Sequence, residues 1–167
     1  MNFRIRPKTS ADGAMLALQW TERYGAPNIV SRGREHHPLS LEGFVAEEDG
    51  QVVGALTFAR RGDEMEIVTL DSFIENRGIG TALLAAAALA GVEHMRRLCL
   101  VTTNDNIHAL RFYQRRGWSI VGLHLDAVDA ARKIKPQIPA TGDHGIAIRH
   151  EIEFALNTSA AARAAAP

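Results

Sequence analysis

With 167 residues, 46% of them hydrophobic, the chain has material for one folded domain with a substantial core and no room for two of ordinary size. Nineteen Lys and Arg are matched by 19 Asp and Glu, which leaves no excess charge to draw in nucleic acid or an anionic membrane surface. No apolar run approaches a membrane span, and Met1-Asn2-Phe3-Arg4-Ile5-Arg6-Pro7 lacks the apolar core of a signal peptide, so a cytoplasmic protein is expected.

Phe3 to Pro7 alternates apolar and basic residues and stops at proline, the pattern of a short first strand. A helix capped by Ser10 is predicted next, with Met15, Leu18 and Trp20 on an apolar side up to Tyr24, where Gly25-Ala26-Pro27 ends it. Asn28 to Ser40 reads as a polar loop. His36 and His37 are adjacent there without companions at metal-ligand spacing, so a solvated setting is expected and no metal. Arg32 and Arg34 are candidates to hold a carboxylate, although a plain charged loop is favoured.

Gly43 to Glu48 and Gln51 to Phe58 are strands around an Asp49-Gly50 hairpin turn. Arg61-Gly62-Asp63 leads into a further strand, Glu64 to Ser72, whose period of two puts Glu66 on one face with Val68, Leu70 and Ser72. A glycine turn, Asn76-Arg77-Gly78-Ile79-Gly80-Thr81, then opens a helix predicted from Thr81 to about Arg97, with Leu84, Ala88, Gly91 and Met95 on one side. Arg97 to Thr103 is nearly all apolar, as a strand covered on both faces would be, and its Cys99 is expected to be a buried, inert thiol. Asn104-Asp105-Asn106 caps another helix. Trp118 to Leu123 is a sixth strand, Asp126 to Lys133 a short helix, and Gly145 to Leu156 a seventh strand with His150 on its apolar side as a core histidine. The excursion from Asp126 to His144 is longer than a hairpin needs, which favours a lid or pocket wall. A domain over residues 1–156 is therefore expected, and an Ala-rich tail over 157–167 that is frayed or becomes helical on a partner.

The glycine turn carries the first chemical signal. A helix begins with N–H groups that have no intrahelical partner and with partial positive charge, so phosphate is a natural guest there, and Gly78 and Gly80 let a ligand approach the backbone. No Gly-Lys-Ser/Thr follows, and Leu83 stands where a dinucleotide fingerprint has its third glycine. An ordinary strand-to-helix connection is the plain alternative.

Glu75 to Gly80 resembles the acetyl-CoA pyrophosphate loop of the GNAT superfamily of N-acetyltransferases, Gln/Arg-x-x-Gly-x-Gly/Ala, with Glu75 replacing the first residue. Asn106 to Trp118 resembles the second GNAT signature, Asn-x-x-Ala-x-x-Phe-Tyr-x-x-x-Gly-aromatic, at every diagnostic position. The resemblance implies an α/β (α+β) single domain, with a central mixed, mostly antiparallel sheet of about seven strands flanked by helices. It implies acetyl-CoA as acyl donor, transferred directly and without metal to a primary amine of a small-molecule or amino-acid-like acceptor, and a pocket for that acceptor around Asn28 to Ser40. It assigns cofactor contacts to Leu70, Ser72, Asn76, Arg77, Gly78, Ile79, Gly80, Thr81, Asn106 and Phe112. The Leu70 N–H becomes the oxyanion donor and Tyr113 the donor to the departing thiolate. For the general base Glu66 competes with Asp71, with Glu47 or Glu48 acting through water, and with solvent itself. A homodimer through the last strands is common in the family. A carboxylate at Glu75 motivates a second reading, a non-catalytic acyl-CoA-binding sensor, and a hydroxyl acceptor is a third.

Overall fold

Apolar runs separated by Gly-containing turns give a succession of strands into which helices are inserted. The computed structural model describes residues 2–91 and 95–157. Its elements are β1 (Arg4–Pro7), α1 (Gly13–Tyr24), β2 (Ile29–Ser31), β3 (Arg34–His36), β4 (Glu42–Glu48), β5 (Gln51–Arg61), β6 (Glu64–Ser72), α2 (Ile79–Gly91), β7 (Arg97–Thr103), α3 (Ile107–Gln114), β8 (Ser119–His124), α4 (Ala127–Ile134) and β9 (Glu151–Asn157). Seven strands form one sheet in the order β1-β4-β5-β6-β7-β9-β8, antiparallel throughout except for β6 and β7.

A parallel neighbour needs a crossover, and α2 supplies it. The parallel register runs only through Glu64↔Arg97, Met65↔Leu98 and Glu66↔Cys99, after which the two strands part. One sheet face packs on α2 and α3. Leu56, Phe58, Met65, Ile67, Leu98 and Phe154 meet Ile79, Leu83, Leu84 and Ala87 of α2 there, together with Tyr113 and Trp118. Gly54 is what lets α2 come this close, because a Cβ there would fall 2.5 Å from Ile79 Cγ2. The opposite face receives α1, whose Leu16 and Trp20 cover Val45 and Ala55. Each aliphatic side chain so buried contributes about 2 kcal/mol of transfer free energy.

Several boundaries differ from the sequence expectation. Ser10 opens a 3-10 turn, Ser10–Asp12, and the cap is Thr9, whose N–H donates to the Asp12 carboxylate at 2.8 Å. Leu18 is exposed, since Leu16 and Trp20, four apart, already define the inward stripe. α2 starts at Ile79 and is described to Gly91, and Arg97 is already strand. The Arg96 N–H donates to Asp63 O at 2.7 Å, which pulls this segment to the turn between β5 and β6. β9 begins at Glu151, six residues later than the pattern implied, because the Arg149 and His150 N–H groups both go to Asn104 Oδ1 at 2.9 Å.

The expected polar loop is in part a hairpin. β2 and β3 pair with each other alone, joined by Arg32 (φ 51°) and Gly33 (φ 71°). Positive φ at both central residues is the type I′ turn that suits strand twist. The excursion after β8 folds α4 onto this hairpin, with Lys135 Nζ donating to Ala26 O at 3.2 Å and Asn28 O at 2.5 Å. Of the anticipated tail, Asn157 is the last residue of β9; the rest lies outside the described residues.

β6 carries the correction with most bearing on function. Its register with β5 passes from Thr57↔Thr69 to Phe58↔Ile67, leaving Val68 as an extra, unpaired residue. A bulge of this kind breaks the period of two. Glu66 therefore shares a face with Thr69 and Asp71, the α1 side, and not with Leu70 and Ser72.

Candidate active site

Where β6 and β7 separate, the β6 edge is left without a strand partner. The Phe73 N–H donates to Val53 O at 2.9 Å. By antiparallel alternation the Asp71 N–H also points to β5, and those of Leu70 and Ser72 point into the opening. The Ser72 hydroxyl is turned away, donating to Ile74 O at 2.6 Å.

The glycine turn lies at the mouth of this opening. Asn76 (φ 57°) and Gly78 (φ 75°) take left-handed conformations that swing the chain into α2. The Ala82 N–H donates to Gly78 O at 3.1 Å, so the N–H groups of Ile79, Gly80 and Thr81 precede the helical ladder. A Cβ on Gly80 would sit 3.3 Å from Phe112 Cζ, which places the α3 aromatic directly on the turn. An unadorned backbone with outward N–H groups fits a pyrophosphate.

Sequence reasoning missed Arg116. Its Nε and NH2 donate to Thr81 Oγ1 at 2.9 and 2.7 Å, and its guanidinium lies 3.6 Å from the Phe112 ring centroid. It occupies a variable position of the second signature, so nothing in the sequence marked it. It sets a positive charge on the first turn of α2, while the exposed Glu75 supplies the negative one. Arg77, to which the resemblance assigns a cofactor contact, pairs with Glu48 at 2.7 Å. Asn106 caps α3, its Oδ1 accepting from the Ala109 N–H at 3.0 Å.

Tyr113 is buried among Phe112, Trp118 and Phe154, with ring centroids 5.2 to 5.7 Å away. Burial, helped by the charge of Asp71, pushes its phenol well above the ordinary tyrosine range, so it stays protonated. Asp71 is wholly buried and fully engaged. Trp20 Nε1 donates to it at 2.9 Å and the Tyr24 hydroxyl at 2.6 Å, and Arg23 Nε stands 3.0 Å from its Oδ1 as an ion pair. Burial still raises its pKa against those donors.

Glu66 lies on the same face beneath the β2–β3 hairpin, 3% exposed. Ser31 Oγ donates to its Oε1, and Arg32 NH1 stands 3.7 Å from its Oε2. His36, expected in solvent, is buried here with Nε2 4.0 Å from Glu66 Oε1, and burial lowers its pKa. Hydrophobic neighbours on β2 and the short turn fold it inward, and His37 alone remains exposed.

Glu64, Glu151 and Glu153 join the cluster from β6 and β9. Arg32 reaches Glu64 at 2.5 Å and Glu153 at 3.9 Å, so it is not available for a substrate carboxylate, and Arg34 is exposed. Burial would raise Glu64, but hydrogen bonds from Arg32, Cys99 and Arg97 hold it at about 2. Glu153 accepts from His124 Nε2 at 2.9 Å and Arg97 NH2 at 3.3 Å. Cys99 is buried, and burial followed by the Glu64 carboxylate pushes its thiol far above the reactive range, as expected of an inert cysteine. His150 is not in the core. It is half-buried at the far end of the sheet, its Nδ1 accepting from the Asp126 N–H at 2.9 Å.

The sequence pattern of the Acetyltransferase (GNAT) family matches residues 14–118. The chain belongs to the GNAT family. The uncharacterized protein YxbD of Bacillus subtilis (strain 168) is 41% identical over 152 residues, 90% of this chain and 96% of that protein. Among solved structures, the IAA acetyltransferase from Bacillus cereus ATCC 14579 superposes with a TM-score of 0.71 at 22% identity, covering 93% of this chain and 99% of its own. A GNAT family acetyltransferase from Elizabethkingia anophelis with acetyl-CoA bound gives 0.67 at 20% identity, covering 93% and 98%. This GNAT chain thus has the family's fold from β1 to β9. Among the described residues no helix is long and apolar enough to cross a membrane.

Proposed function

We propose that the protein transfers an acetyl group from acetyl-CoA directly to a primary amine of a small molecule. The observation that carries this reading is the opening between β6 and β7, with N–H groups along one edge that pair with no strand and an anion-binding helix start at its mouth; the buried Tyr113 packs against Phe112, the ring that meets this turn. The Elizabethkingia protein, similar in fold, binds acetyl-CoA, which supports the same donor here. A cytoplasmic setting suits that donor.

In this scheme the N–H groups of Ile79, Gly80 and Thr81 hold the pyrophosphate, and Asn76, Gly78 and Phe112 shape the turn. Acetyl-CoA supplies an acyl group already activated as a thioester. Glu66 takes a proton from the acceptor's ammonium, leaving a lone pair to form the C–N bond. The Leu70 N–H faces the negative charge that builds on the carbonyl oxygen. As the C–N bond forms the nitrogen sheds its second proton to solvent, and Tyr113 donates its own proton to sulfur as the C–S bond breaks and is reprotonated from solvent. Glu66 is preferred to Asp71 because two hydrogen bonds and the Arg23 charge already engage the Asp71 carboxylate.

The test is calorimetric binding of acetyl-CoA to wild type and to Gly78→Asp, with thermal unfolding as a control on folding. Micromolar binding that the substitution abolishes is expected. A folded wild type that does not bind acetyl-CoA would sink the proposal. Binding without turnover across an amine panel would shift the reading to an acyl-CoA sensor.

A further inference from the structure

The cluster beneath the β2–β3 hairpin has unequal charge compensation. Glu64 and Glu153 are matched by Arg32, Arg97 and His124. Glu151, 4% exposed, accepts one hydrogen bond among the described residues, from the Arg32 backbone N–H to its Oε2 at 3.2 Å, and feels the charges of His124 and Arg32 without a direct ion pair. Burial raises its pKa in spite of the Arg32 N–H and the His124 charge, which pull it down. His36, 8% exposed, points Nε2 toward Glu66 and finds no hydrogen-bond partner for it among the described residues. A buried ring nitrogen without a partner is unfavourable, because it has given up water and gained no donor. Such groups are retained where a ligand completes them.

The acceptors left over match one functional group. Ser31 donates to Oε1 of Glu66 and the Arg32 N–H to Oε2 of Glu151; among the described residues Oε2 of Glu66, 3.7 Å from Arg32 NH1, and Oε1 of Glu151 accept no hydrogen bond, nor does the His36 Nε2 in its neutral Nδ1–H form. A primary ammonium has three N–H donors and one positive charge. It would satisfy three acceptors and offset two neighbouring buried carboxylates. Glu66 is also the last β6 residue paired to β7, at the apex of the opening that the thioester would enter.

We propose that Glu66, Glu151 and His36 form a three-acceptor cradle for the reacting ammonium, and that the acceptor is a cationic alkylamine with no carboxylate on the carbon bearing the nitrogen. This rests on the acetyltransferase reading above. A neighbouring carboxylate would meet Glu64 and Glu153, and the guanidinium best placed to receive it, Arg32, is already spent on them. Among the described residues the hairpin forms no sheet hydrogen bonds outside itself, so admitting a ligand beneath it breaks none in the main sheet.

The experiment compares n-butylamine and 1,4-diaminobutane with glycine and alanine as acceptors, following CoA release, in wild type, Glu151→Gln, His36→Leu and His36→Gln. The alkylamines are expected to exceed the amino acids at least tenfold in kcat/KM. Glu151→Gln and His36→Leu are expected to raise KM for n-butylamine at least tenfold while kcat changes less than threefold, and His36→Gln, which keeps an acceptor, recovers much of the loss. Preference for the amino acids, or an unchanged KM in both Glu151→Gln and His36→Leu, would overturn the cradle. Calorimetry of 1,4-diaminobutane without acetyl-CoA separates the two proposals. Diamine binding lost in Glu151→Gln supports the cradle even in a protein that fails to bind acetyl-CoA, and no diamine binding by a wild type that does bind acetyl-CoA refutes it. Should Glu151→Gln not fold, the pair of His36 variants decides.

Discussion

At the scale of single residues, the site rests on groups whose charge state is set by burial. Tyr113 is held as a phenol, so removing only its oxygen isolates the proton it would give. Tyr113→Phe keeps the ring contacts with Phe112, Trp118 and Phe154, and kcat is expected to fall about 100-fold with acetyl-CoA affinity unchanged, measured by steady-state kinetics and calorimetry. Tyr24→Phe takes one of the two hydrogen-bond donors from the buried Asp71, and chemical denaturation should show a loss of about 1.5–3 kcal/mol. Tyr113 was legible in the sequence because its neighbours form a dense signature. Glu151 was not, because Ile152 and Phe154 alternate with it as in any strand with one wet face, and only the hairpin and α4 make that face dry. His36 was hidden for the same reason, since burial by a distant element leaves no local trace.

At the scale of elements, strands β4 to β6 and the α3 signature could be read because turn chemistry and periodicity agree there. The β2–β3 hairpin could not, since its strands are three residues long and its turn asks a non-glycine residue, Arg32, to adopt a left-handed conformation. The bulge at Val68 was equally silent, because an inserted residue changes no composition while it reverses which face Glu66 occupies. Two predictions belong here. Asn106→Ala removes the cap of α3 and should cost about 1 kcal/mol in urea unfolding. Gly80→Ala presses a methyl against Phe112, and weaker acetyl-CoA binding with little change in thermal stability is expected from calorimetry and melting.

At the scale of the whole molecule, β1 and the start of α1 are tied by Arg6 and Asp12, whose guanidinium and carboxylate meet through two hydrogen bonds of 2.7 and 2.9 Å. Arg6 holds the Asp12 carboxyl at about 2, below its unfolded value. A depressed folded pKa means this stabilisation is complete above about pH 4 and is lost as pH falls toward 2. The stability gap between wild type and Asp12→Asn, read from denaturation curves, should therefore be constant from pH 5 to 7 and narrow progressively below pH 4.

The short parallel seam between β6 and β7 also divides the sheet mechanically. Four strands lie on one side and three on the other, with three paired positions and the α2 crossover between them. Such a sheet behaves as two plates sharing a narrow joint, and a guest lodged in the gap would act as mortar, bonding one plate's bare edge and closing the space to the other. Slow amide exchange should then spread across both plates when acetyl-CoA is added, with the Leu70 and Ser72 amides changing most, and the two halves should unfold more nearly as one.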